Sequence, residues 1–172
     1  RDRSFLIASG FDFEVELLSG AIDRDLNHLT TNDLDALIIP SSTMLTLERR
    51  DRIDVLLDPE TFVPAVGQGS LGLLVNEDDD LAFEIAYTLQ HRPSFDRVKA
   101  ERAFQRALQD ESLAVGALAS VAPDGELSLL GAIARAGGPV IQATIGGEAA
   151  EAEELGRELA QDVLEQYKTL QT

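Results

Sequence analysis

Apolar positions along the chain recur with two periods, and their succession divides it into elements. Residues 3–9 read as the end of a helix, with Gly10 as its C-cap. Glu14-Val15-Glu16-Leu17-Leu18 alternates as a strand does, and Ile22, Leu26 and Leu29 then recur at helical spacing within residues 19–29. Asp35-Ala36-Leu37-Ile38-Ile39 is a short apolar run closed by Pro40, which suits a buried strand. Strand, helix and strand make one βαβ unit, and such a unit predicts a parallel sheet with a right-handed crossover. A further helix is expected from Ser42 to about Asp51.

Pro64-Ala65-Val66-Gly67-Gln68-Gly69-Ser70-Leu71-Gly72 is punctuated by glycine and opens into a predicted strand, Leu71 to Val75. A phosphate loop has a lysine after its glycines and follows a strand. Here the lysine is absent and the strand comes second, so a hinge or a close backbone crossing is the expectation. Helices follow at Asp80 to Leu89 and at about Ser94 to Leu108, separated by the break at Arg92-Pro93. Three strands are expected at Ala114 to Val121, Glu126 to Ala134 and Pro139 to Ile145, with Asp124-Gly125 as the first tight turn. An amphipathic helix from about Glu148 to Tyr167 closes the chain, with Leu155, Leu159, Val163 and Leu164 on its apolar side. The second half therefore reads α-β-β-β-α, a small two-layer α+β domain.

The first βαβ unit is too small to bury both faces of its sheet, and residue 1 falls inside a predicted helix. Further polypeptide is therefore expected before Arg1, and the chain is expected to be the carboxy-terminal part of a larger α/β protein. Its composition adds exclusions. With no cysteine it has no disulfide, zinc-thiolate site or cysteine nucleophile. Against 14 Lys plus Arg it carries 31 Asp plus Glu, a net charge of −17, which disfavours nucleic acid and acidic membrane surfaces. No apolar run has the length of a membrane span, and the start lacks a secretory layout, so a soluble, cytoplasmic protein is expected. Glu77-Asp78-Asp79-Asp80 lacks the spacing of an EF-hand and reads as a solvated loop. His28 and His91 have no partner at ligand spacing and read as surface residues, so no metal is expected.

Three stretches are distinctive together: Phe62 to Gly72 with its Pro-Ala-Val-Gly-Gln-Gly string, Val98-Lys99-Ala100-Glu101-Arg102-Ala103-Phe104, and Ala152-Glu153-Glu154-Leu155-Gly156. In this order and spacing the chain resembles the carboxy-terminal portion of the porphobilinogen deaminase (hydroxymethylbilane synthase) family. The resemblance implies an α/β protein: part of a periplasmic-binding-protein-like domain followed by a small α+β C-terminal domain. Residues 1–62 would be the C-terminal half of a second domain, 63–93 a crossover strand and helix toward a first domain, and 94–172 the C-terminal domain. It also implies a role in tetrapyrrole biosynthesis, the condensation of porphobilinogen units on a dipyrromethane primer held by a cysteine thioether.

Position by position, the resemblance places the cofactor cysteine on Ser112 and two preceding glycines on Asp110 and Glu111. Arg1, Arg24 and Gln68 fall on substrate- or cofactor-binding positions, with Gln68 weighed more as scaffold. Family arginines are replaced by Asp2, Ser19, Asp25 and Thr46, and Arg24 adjoins the altered position 25. The catalytic aspartate lies outside the chain, so no catalytic residue is assigned. Glu101 and Arg102 are expected in buried or hinge ion pairs. A serine hydroxyl without a base does not replace a thiol, and carboxylates at cationic positions reverse the field that pyrrole acids need. The expectation is a degenerate homologue, inactive by itself and without a cofactor. Its partners would be the missing N-terminal part and a small pyrrole or tetrapyrrole acid. An active synthase with atypical cofactor attachment and a structural module without ligand are the alternatives.

Overall fold

Helical and alternating periods in the second half produce the elements they predict. A computed structural model describes residues 2–8, 13–18, 22–31, 34–135 and 137–170, without the side chains of Asp2 and Ala8. Helix α5 (Arg92–Leu108) has Pro93 in its first turn, where a missing N–H is no loss, and ends at Gln109 in the left-handed conformation. Three antiparallel strands follow in the order β1-β2-β3: β1 (Ala114–Val121), β2 (Glu126–Ala134) and β3 (Val140–Glu148). The β1–β2 turn contains Gly125 at φ +90°, as the Asp-Gly pair requires. Helix α6 (Ala152–Thr169) completes the expected α-β-β-β-α order.

Alternation along β2 builds a core on each side of the sheet. Leu127, Leu129 and Ile133 face α5 and α6, where they pack with Phe104, Leu108, Leu155, Leu159 and Val163. Ala132 and Ala134 belong to a second cluster with Val63 and Phe5 of helix α1 (Asp2–Ala8). Phe5 meets Phe62 edge-on, with ring centroids 6.0 Å apart. Gly156 brings α6 hard against α5: a Cβ there would collide with the Ala100 carbonyl and the Ala103 side chain.

The chain forms two compact units, Asp12–Leu57 and a larger one of Arg1–Phe11 with Asp58–Thr172. The smaller unit contains α2 (Ile22–Thr30), α3 (Ser41–Thr46) and a 3-10 turn at Arg50–Arg52. Helix α4 (Asp80–Thr88) lies in the larger unit.

The strands expected at 14–18, 35–39 and 71–75 do not form, and no parallel pair exists among the described residues. A strand is held by its ladder, and these segments have none. Several of their apolar residues face outward, Leu17 at 85% exposure and Leu71 and Leu74 fully, while Val15, Leu18, Leu37 and Ile39 are half-buried. The protein is therefore a mixed helix-and-sheet protein whose one described sheet is antiparallel. The helix expected to reach Asp51 stops at Thr46, and Gly10 lies outside the described residues.

Candidate functional site

The glycine-rich segment is fixed at its beginning and open at its end. Val63 is fully buried, and the Pro64 carbonyl accepts from the Ala117 N–H at 2.9 Å, laying the segment along β1. Gly116 permits this, because a Cβ there would stand 2.8 Å from the Val63 carbonyl oxygen. Glu101, on the buried face of α5, then takes two amides: the Gly67 N–H donates to Oε2 at 2.7 Å and the Ala119 N–H to Oε1 at 2.9 Å. Gly67 and Gly69 have φ of +72° and +83°, with open space where a Cβ would be. The glycines thus serve left-handed backbone, and the close crossing falls on Gly116.

Between this loop, α5 and the start of β1 lies an open depression of about 460 Å³, with Gln68, Gln105, Leu113 and Val115 among its lining residues. Gln68 is exposed, and its Oε1 accepts from the Ala65 N–H at 3.2 Å, which holds the side chain over its own loop. Ser112 is exposed and immediately precedes Leu113. Its hydroxyl donates to Asp110 Oδ1 at 2.6 Å and its N–H to the same oxygen at 2.9 Å. Arg135 donates to Asp110 Oδ2 at 2.8 Å, and its guanidinium lies 5.5 Å from the Tyr167 ring centroid. The Ser112 bonds and Arg135 hold the Asp110 carboxyl below its ordinary range. A carboxylate so stabilised is a weak base, so Asp110 does not activate the Ser112 hydroxyl.

Gln68 and Ser112 thus lie in one unit, at or next to one depression. Arg24, Asp25 and Thr46 belong to the smaller unit: Arg24 and Thr46 are exposed, and the Thr46 hydroxyl donates to the Ser42 carbonyl at 2.9 Å. Arg1 and Ser19 lie outside the described residues, as does the side chain of Asp2. Glu101 is buried as expected but binds amides where an ion pair was expected, and Arg102 is exposed. His91 precedes α5 with Nδ1 2.9 Å from the Ser94 hydroxyl. Asp79, from the acidic run, caps α4 by accepting from the Ala82 N–H at 2.9 Å. Sequence reasoning missed Gln105 and Arg135. Gln105 is one of several polar residues on its helix, and Arg135 meets Asp110 only through the tertiary fold.

Two family models match the chain in tandem. Residues 1–84 match the porphobilinogen deaminase dipyrromethane cofactor binding domain, and residues 95–165 match the porphobilinogen deaminase C-terminal domain. The chain belongs to the porphobilinogen deaminase family. It is 46% identical over 168 residues to the porphobilinogen deaminase of Thermus thermophilus, covering 96% of this chain and 56% of that protein. It is 39% identical over 166 residues to the Deinococcus radiodurans enzyme of that name, covering 96% of this chain and 54% of the relative. For that of Syntrophotalea carbinolica the values are 30% over 154 residues, 89% and 49%. The chain spans about half the length of the curated relatives it matches.

These matches correct one expectation. The absence of a cofactor does not hold, because half of the chain matches a domain described by its binding of dipyrromethane. The inference from a missing thiol was too broad: losing a covalent anchor removes one bond to a ligand, whereas the surrounding domain is read from its whole length. What the residues do not fit is the thioether itself. The chain has no cysteine, and the hydroxyl of Ser112, where the resemblance would put the anchoring residue, is bonded to a weak base.

Proposed function

We propose that this chain serves tetrapyrrole biosynthesis as the carboxy-terminal part of a cytoplasmic porphobilinogen-deaminase-type protein. It associates with dipyrromethane or a related pyrrole acid without a covalent bond to its own residues, and it is a degenerate member that does not by itself make hydroxymethylbilane. The tandem match to the cofactor-binding and C-terminal domain models carries the reading. Residues 1–62 would represent part of a periplasmic-binding-protein-like second domain, 63–93 the crossover and 94–172 the C-terminal domain. The rest of a relative-length polypeptide is the protein partner this organisation implies.

Lack of self-priming follows from the chemistry at position 112. A thioether requires a sulfur nucleophile, and neither the composition nor the Asp110–Ser112 pair supplies an equivalent. Of the binding positions implied by the resemblance, Arg1, Arg24 and Gln68 remain, while Asp2, Ser19, Asp25 and Thr46 replace arginines. An arginine pairs a pyrrole carboxylate bidentately, and an aspartate repels it. Binding should therefore be weak and reversible.

Equilibrium dialysis of the 172-residue chain against a dipyrromethane dicarboxylate tests the binding half of this reading. Saturable uptake that washes out completely is expected. No uptake would sink it and leave a structural module without ligand.

A further inference from the structure

Glu101 is the clearest feature that the family reading leaves without a role. A carboxylate on the packed face of α5 is costly to bury, and here its two oxygens are committed to amides from separate segments. The Ala119 amide belongs to β1, inside the core. The Gly67 amide belongs to a loop whose next three residues, Gln68 to Ser70, are exposed. Gly67 itself is half-buried, at the edge of that exposed stretch. The effect of the bond is positional: it ties the loop to the sheet through a side chain of α5.

Carboxylate chemistry suits that task. Ionised, it offers acceptors only and accepts from both N–H groups at once. Glutamine would offer one acceptor and turn an NH₂ donor toward the other amide. Past Gly67 only local turn bonds continue, the last from the Ser70 N–H to the Gly67 carbonyl at 3.3 Å; Gly69 and Gly72 have open space where a Cβ would be, and Leu71 is fully exposed.

We propose that Glu101 is a positioning residue that clamps the glycine-rich loop to β1, holding Gln68 in the wall of the depression and confining bending of the chain to Gly69–Gly72. The clamp rests on the geometry of this chain and stands whichever way the pyrrole test falls.

Nitrogen-15 NMR of the 172-residue chain reads it directly. The Gly67 and Ala119 amide shifts should titrate with one common midpoint, set by the carboxylate they share. The interpretation is clean because neither 63–70 nor β1 contains an ionisable side chain, and the charge acting on Glu101 is that of Arg97 on its own helix. Glu101→Gln should abolish both titrations and speed Gly67 amide exchange about tenfold or more, while Phe104 and Leu159 keep their protection. Order parameters should stay near about 0.85 through Gly67 and drop below about 0.6 within Gly69–Gly72. Separate midpoints, unchanged Gly67 exchange in the variant, or a uniform order-parameter profile would each overturn the proposal. If Glu101→Gln does not fold, the wild-type titration and order parameters decide alone.

Discussion

Burial pushes the Glu101 carboxyl above its ordinary value of 4.5, against the Gly67 and Ala119 amides and the Arg97 charge, which pull it down. The sign of its linkage follows. As pH rises past 4.5 the unfolded chain loses this proton first, so the folded state loses stability until its own raised value is passed. Chemical denaturation of wild type and Glu101→Gln should therefore show the stability of wild type relative to the variant falling from acid toward neutral pH. A pH-independent difference would contradict the assignment. Asp110 has the opposite sign: its lowered value favours the folded state above the ordinary carboxylate range, and that contribution is lost on acidification. Solvent screens it, because the side chain is 37% exposed. The Asp110 and Ser112 contact is a local Asp-x-Ser arrangement that the sequence reading passed over, taking Ser112 only as a hydroxyl without an activating base. The two amides on Glu101 were not legible in the sequence, since one lies 34 residues before it and the other 18 after.

Helices and antiparallel strands in the second half were legible because each makes its bonds within itself or with its sequence neighbour. Boundaries moved where packing intervened. β3 continues through Gly146 and Gly147, beyond the expected end at Ile145, because both pair with β2 and a Cβ on Gly147 would stand 2.9 Å from Leu155. The segments 14–18, 35–39 and 71–75 show the converse: their apolar patterns favour extended backbone, but a ladder requires a second strand. This difference sets the expected cost of substitution. Phe104 is fully buried among α6 and the sheet, so Phe104→Ala should cost about 3–5 kcal/mol. Leu74 is fully exposed, so Leu74→Ala should change stability by less than about 0.5 kcal/mol. Urea midpoints of the two variants check both, and a large loss in Leu74→Ala would mean that segment 71–75 is packed after all.

At the scale of the whole molecule, the family was readable from three short motifs, and the tandem match to two of its domains bears that out. The cofactor was misjudged because a single position, Ser112, was allowed to speak for the domain around it. Charge adds an expectation of its own. A net of −17 repels a pyrrole dicarboxylate at low salt, and screening relieves the repulsion. Affinity for such a ligand should accordingly rise or stay level as ionic strength increases; a steep fall would indicate an arginine-lined site. No helix among the described residues is long and apolar enough to cross a membrane.

The central claim is a porphobilinogen-deaminase fold without a covalent anchor on this chain, and intact mass under denaturing conditions tests it most directly. The purified 172-residue chain should have the mass of its sequence and keep it after incubation with porphobilinogen. A covalent pyrrole adduct on any residue would contradict the account and show that another side chain has taken the place of the missing thiol.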